Sequence, residues 1–153
     1  MTFSILIYNG HQIIKMVHTF IGVTFLIGAI WLFYRSLNGY FKRLPYDRLD
    51  KVLSYFFIVN LYLQLIFGFI LMISPDLVTA RELAGQDSMK LVTRRFWPVE
   101  HIVLMLFSLF IANLGLIFSN SSEAAREKHR KVIVYYAIAV VLIALSLGST
   151  YFE

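Results

Sequence analysis

Three of the four histidines in this 153-residue chain, His11, His18 and His101, stand near the ends of long apolar runs, where a neutral imidazole has the chemistry of a metal ligand. His11 and His18 are seven residues apart, which on a helix places them on one face about 10 Å apart along the axis, with Lys15 between them on the same stripe. His101 follows Trp97 closely in the third apolar run. Counted inward from each membrane entry, His101 and His18 fall within about one helical turn of the same depth. Two neutral imidazoles on opposite faces of one porphyrin are what a low-spin haem b requires, so His18 and His101 are the expected axial ligands of one haem b. His11, nearer the water, replaces His18 if the first helix sits deeper. Haem propionates need basic partners at the membrane surface, and Lys15, Arg94 and Arg95 collect at that same end.

The same residues admit other chemistries. His18 and His101 would also serve as hydrogen-bonding groups across a helical bundle, with the basic residues snorkelling to headgroups. Glu100 beside His101 suggests a divalent transition metal held with His11 and His18, but adjacent helix positions diverge by about 100°, so Glu100 and His101 cannot both point at one ion. Taken alone, Glu100 suits the first turn of a helix, where it meets the dipole and can pair with Lys15 or Arg95. His129 sits in the basic run Arg126 to Lys131 and reads as part of a solvated face against headgroups; a second haem lacks ligands. No nucleophile and base pair, phosphate loop or open metal triad is recognisable.

The elements that must position these residues are four apolar runs, Ile13 to Tyr34, Val52 to Ile73, Val99 to Phe118 and Val132 to Leu147. A hydrocarbon core about 30 Å thick needs roughly 20 helical residues. The first three runs span outright, and the fourth is expected to recruit its flank Ser149 to Phe152. Short connections favour an all-α, membrane-spanning, up-down-up-down four-helix bundle forming a single domain over residues 1–153, in which helices one and three are diagonal partners. The diagonal, roughly 12 to 14 Å, suits a planar cofactor held edge-on between two imidazoles.

Apolar residues make up 59% of the chain and charged ones 15%, which excludes an ordinary soluble domain. The formal charge of +5 comes from basic residues in short loops beside the spans, which sets orientation and makes nucleic acid an unsuitable partner; the partner is the lipid bilayer. Arg35, Lys42, Arg43, Arg48 and Lys51, with Arg126, Lys128, Arg130 and Lys131, outnumber the basic residues of the other side, so both termini are expected outside. The absence of cysteine rules out disulfides and covalent haem attachment. The N-terminus shows neither a basic n-region nor a cleavage site, so Met1 onward is expected in the mature chain.

Along the chain, the first helix is expected from about Asn9 toward Phe41, ahead of Pro45, and Asp47 with Asp50 to cap the second. Segment 76–95 is expected as a short interfacial helix and loop, Trp97 and Pro98 as the start of helix three, and Asn120 with Glu123 as the cap of a fourth helix beginning near Ser121. Asn60, Gln64 and Asn113 suit interhelical hydrogen bonds, Gly22, Gly28, Gly68 and Gly115 close packing, and Tyr135 and Tyr136 an interfacial belt.

Several stretches resemble a group of small bacterial four-helix membrane proteins labelled "cytochrome b". They are Arg95-Phe96-Trp97-Pro98-Val99-Glu100-His101, His11 with Lys15, Gln64 through Pro75, and Lys128-His129 followed by Tyr136-Ala137-Ile138-Ala139. Members often carry a histidine in helix two before the glutamine, where this chain has Tyr62 nearby, so no ligand from helix two is implied. The resemblance matches His11 and not His18, whereas depth favours His18. It implies, through the group's label, a b-type haem; the function expected from the residues and the resemblance together is a b-type cytochrome of the bacterial inner (cytoplasmic) membrane that passes electrons to or from a quinone or a redox partner protein. The competing class is a cofactor-free structural or assembly subunit, packed in a larger membrane complex or a homo-oligomer.

Overall fold

The computed structural model describes residues 2–73 and 88–148, with side chains over 9–73 and 99–148. Four helices follow one another: α1 (Thr2–Lys42), α2 (Arg48–Ile73), α3 (Ser88–Ser121) and α4 (Ala125–Gly148). Each contains a stretch long and apolar enough to cross a membrane, Asn9–Lys42, Arg48–Ile73, Val99–Ser121 and Ala125–Gly148. The chain is a multi-pass membrane protein with an all-α, four-helix architecture. Packing closes a ring: α1 lies on α2 and α4, and α3 lies on α2 and α4, so that α1 faces α3 across the diagonal. One end of the bundle carries the short connections 43–47 and 122–124 and is called here the loop end; the other carries both termini.

Local chemistry explains each boundary. Asp47 is the N-cap of α2: its Oδ1 accepts from the amides of Leu49 at 2.9 Å and Asp50 at 3.1 Å. Asp50 Oδ2 reciprocates by accepting from the Asp47 amide at 3.0 Å, a capping box built from two aspartates. α1 ends one residue before Arg43, which takes a left-handed φ of 55°. The amide of Leu44 then reaches back to the Gly39 carbonyl at 3.0 Å, the 6→1 bond of a Schellman motif.

Three boundaries differ from expectation. α1 starts at Thr2 and not near Asn9. α3 starts at Ser88 and passes through Pro98, so Trp97 and Pro98 do not open it. Proline removes a single i→i−4 bond, which membrane helices tolerate when neighbouring groups re-satisfy the freed carbonyl. Residues 88–95 of the expected interfacial segment are therefore the first turns of α3, and the remainder lies outside the described residues. α4 begins at Ala125, not near Ser121, because the hydroxyls of Ser121 and Ser122 bond back to the Phe118 carbonyl, at 3.2 and 2.7 Å, and finish α3 there. At 24 residues, about 36 Å, α4 gains its length at the loop end.

The core runs down the bundle axis through Phe25, Leu32, Phe57, Leu61, Leu109, Val132 and Tyr136. Phe57 stacks on Tyr136 with centroids 4.5 Å apart, and the Tyr136 hydroxyl donates to the Ser54 carbonyl at 3.4 Å. Tyr136 is thus a core residue, fully buried, and not part of an interfacial belt. Large side chains such as Phe20, Ile30, Trp31, Phe110 and Leu145 point outward, the face a bilayer requires. Gln64 and Asn60 make the expected interhelical bonds, to the His18 carbonyl at 3.1 Å and from the Thr24 hydroxyl at 3.3 Å. Asn113 instead donates to Leu109 within its own helix.

Candidate functional site

At the terminal end, all four helices contribute polar groups or close backbone to the interior. α1 supplies His18, α2 supplies Gln64 and the bare backbone of Gly68, α3 supplies His101, and α4 supplies Ser146. His18 leans over α2: a β-carbon at Gly68 would lie 3.4 Å from its Cε1. Its Nδ1 is buried without a hydrogen-bond partner, as is Oε1 of Gln64, whose amide nitrogen already serves the His18 carbonyl. His101 Nδ1 lies 2.7 Å from the hydroxyl of Ser146, itself fully buried.

The structure places His18 and His101 at the same end of the bundle, on helices that face each other across the diagonal. His11 lies two turns nearer the N-terminus, half-buried, with its own Nδ1 unpartnered. Lys15 is exposed between them. Arg94 and Arg95 lie on α3 two turns before His101, and their side chains lie outside the described residues. The four-ligand ion site with Glu100 does not form: among the described residues no three His, Asp or Glu side chains gather closely enough to hold a metal. Glu100 is exposed and, with α3 starting at Ser88, stands beyond the first turn, so the helix-dipole reading also falls.

Ser146 holds Nδ1 of His101, the kind of anchor that fixes tautomer and ring orientation in a histidine ligating through Nε2, whereas among the described residues Nδ1 of His18 has no such anchor. Ser146 was not singled out from sequence, although it is the one serine within the apolar run Val132 to Leu147.

A second polar cluster, at the loop end, is the larger departure from expectation. His129 is 1% exposed and not part of a solvated face, and among the described residues neither ring nitrogen has a partner. Its ring abuts the α1 backbone at Gly39, where a β-carbon would collide with it, and meets the edge of Tyr46 at 5.0 Å. Nearby, Arg35 Nε donates to Asp50 Oδ1 at 2.8 Å, and Nη2 donates to Asp47 at 2.9 Å and to Asp50 Oδ2 at 3.3 Å. Asp50 is 1% exposed, so the guanidinium neutralises a buried carboxylate while bracing the cap of α2 against α1. Asp47, outside the spans, is held below the usual carboxylate range, first by the Asp50 amide and further by Arg35. Burial pushes the Tyr46 hydroxyl above its usual range.

Compared with known proteins, the chain matches no family model, no curated protein and no solved structure.

Proposed function

We propose that this chain is a b-type cytochrome that binds one haem b between His18 and His101 at the terminal end of the bundle and passes electrons to or from a quinone or a partner protein. The reading is supported by the position of these two histidines, at the same end of the bundle on diagonal helices, and by the bond between His101 Nδ1 and Ser146. The haem, when bound, supplies the one-electron chemistry. His18 and His101 supply the two nitrogen ligands, and Gly68 keeps the space beside His18 free of a side chain. Lys15, Arg94 and Arg95 are the basic groups suited to the propionates. On the positive-inside argument the site faces outward from a bacterial inner membrane, with both termini on that side.

Purified protein in mild detergent tests this. A Soret band with sharp reduced-state bands is expected, lost in His18→Ala and in His101→Ala and retained in His11→Ala. A folded, colourless protein overturns the reading and leaves the cofactor-free subunit of a larger complex in its place.

A further inference from the structure

The four helices form two hairpins, α1 with α2 through connection 43–47 and α3 with α4 through connection 122–124, and at the loop end no chain segment joins one hairpin to the other. Among the described residues the ion pairs there lie within a hairpin: Arg35 holds Asp47 and Asp50 in the first, and Arg130 holds Glu127 in the second. Hydrogen bonds cross the seam from the Tyr46 hydroxyl to Ser119 and from the Tyr136 hydroxyl to the Ser54 carbonyl, the latter at 3.4 Å.

His129 is buried on that seam. It projects from α4 onto the α1 backbone, where Cε1, Nε2 and Cδ2 of its ring fill the space that a β-carbon at Gly39 would take. On the same hairpin as Gly39, Tyr46 meets the ring with centroids 5.0 Å apart. The side chain is 1% exposed, and among the described residues neither ring nitrogen has a hydrogen-bond partner. A neutral imidazole carries one N–H, so the closed packing already leaves one donor unmatched, whereas an imidazolium carries two and a full charge. A second proton finds neither an acceptor nor solvent where the ring now lies.

The groups facing the ring do not offset that charge. α1 brings Arg35 and Lys42 with the phenols Tyr34 and Tyr40, the first connection brings Tyr46, and α2 brings Asp50. α4 itself carries Arg126, Glu127, Lys128, Arg130 and Lys131, and α3 contributes Ser119, which does not titrate. Asp50 has both oxygens engaged, Oδ1 by Arg35 Nε and Oδ2 by Arg35 Nη2 and the Asp47 amide, and Glu127 is paired with Arg130. Imidazole is the side chain of this set whose charge ordinarily changes between about pH 5 and 8.

We propose that the loop end is an acid-sensitive latch, in which a second proton on His129 releases α4 from α1 and parts the two hairpins until water reaches the ring. The stack of Phe57 on Tyr136 holds the hairpins together deeper in the bundle. The latch is independent of the proposed haem, since Gly39 lies 21 residues beyond His18, roughly 30 Å along α1.

Hydrogen exchange of the full-length protein in a neutral maltoside detergent tests it, read by mass spectrometry and corrected for the intrinsic pH dependence of exchange. With the second proton taken only by the open form, whose solvated imidazole titrates at about 6.5, the open share is expected to rise about thirtyfold between about pH 7.5 and about pH 5. Protection should fall by that factor over residues 36–42 and 126–132, stay constant over residues 57–61, and lose its pH dependence in His129→Gln and in His129→Leu. Equal protection at both pH values, a fall shared by residues 57–61, or a fall that persists in either variant overturns the proposal. If neither variant folds, the wild type decides, because among the described residues of the loop end His129 is the only side chain whose ordinary pKa lies between those two pH values.

Discussion

His101 Nδ1 and Ser146 Oγ stand 2.7 Å apart, a hydrogen bond that ties the third helix to the last turns of the fourth across an apolar interface. Groups that anchor the far nitrogen of a ligating histidine typically contribute 10- to 100-fold to metal affinity. Ser146→Ala is therefore expected to weaken haem retention by about tenfold while leaving the helical circular dichroism unchanged. Titration of the purified variant with hemin, followed at the Soret band, measures this; wild-type affinity would show the bond to be a packing contact only.

Removing the guanidinium at position 35 leaves Asp50 as a buried, unpaired carboxylate. Breaking fully buried pairs costs about 3–5 kcal/mol, and with Arg35 28% exposed the expected loss for Arg35→Leu is roughly 2–4 kcal/mol. The double variant Arg35→Leu/Asp50→Leu is expected to recover part of that loss. Denaturant unfolding in detergent measures both, and additive losses would mean the two side chains are not coupled.

Arg43 takes a left-handed φ of 55° as the residue that closes α1. Because that conformation strains every residue with a β-carbon, Arg43→Gly is expected to raise stability by about 0.5–1 kcal/mol. An unchanged or lower unfolding midpoint would contradict the assignment of the motif.

Asp47 has its carboxyl depressed in the folded protein, chiefly by the Asp50 amide that donates to it. The sign follows: its contribution is fully present above the ordinary carboxylate pKa of 3.8 and is lost as pH falls through the lower folded value. Asp47→Asn keeps an oxygen acceptor for the cap but no titrating charge. The variant should show a shallower fall of melting temperature below about pH 4 than the parent, and parallel curves would remove Asp47 from the acid response.

At Gly39 an added methyl group meets the ring of His129, which is buried and cannot swing away. Gly39→Ala is expected to destabilise by about 1–3 kcal/mol through overpacking, while Gly10→Ala, where the space is open, should not. Thermal unfolding of the two variants side by side makes the comparison.

Apolar length alone made the four helices legible, since nothing but a membrane-spanning helix satisfies the backbone over such runs. The Asp47 and Asp50 cap was equally readable, because its residues lie close in sequence. What stayed hidden was longer in range. Pro98 looked like a start signal because proline favours first turns, yet α3 continues through it. Depth counting placed His18 and His101 at one end of the bundle, whereas the Ser146 partner of His101 depended on the rotation of α4, which no spacing fixes. His129 was read as surface charge because basic residues near spans usually set orientation; its burial depends on Gly39 letting α4 approach α1.

The lengths of α1 and α3 carry one more consequence. Sixteen helical residues precede His18 and thirteen precede His101, more than three turns in each case. Neither imidazole rides on a fraying tip, and amide hydrogen exchange at both positions should track global opening and not local breathing.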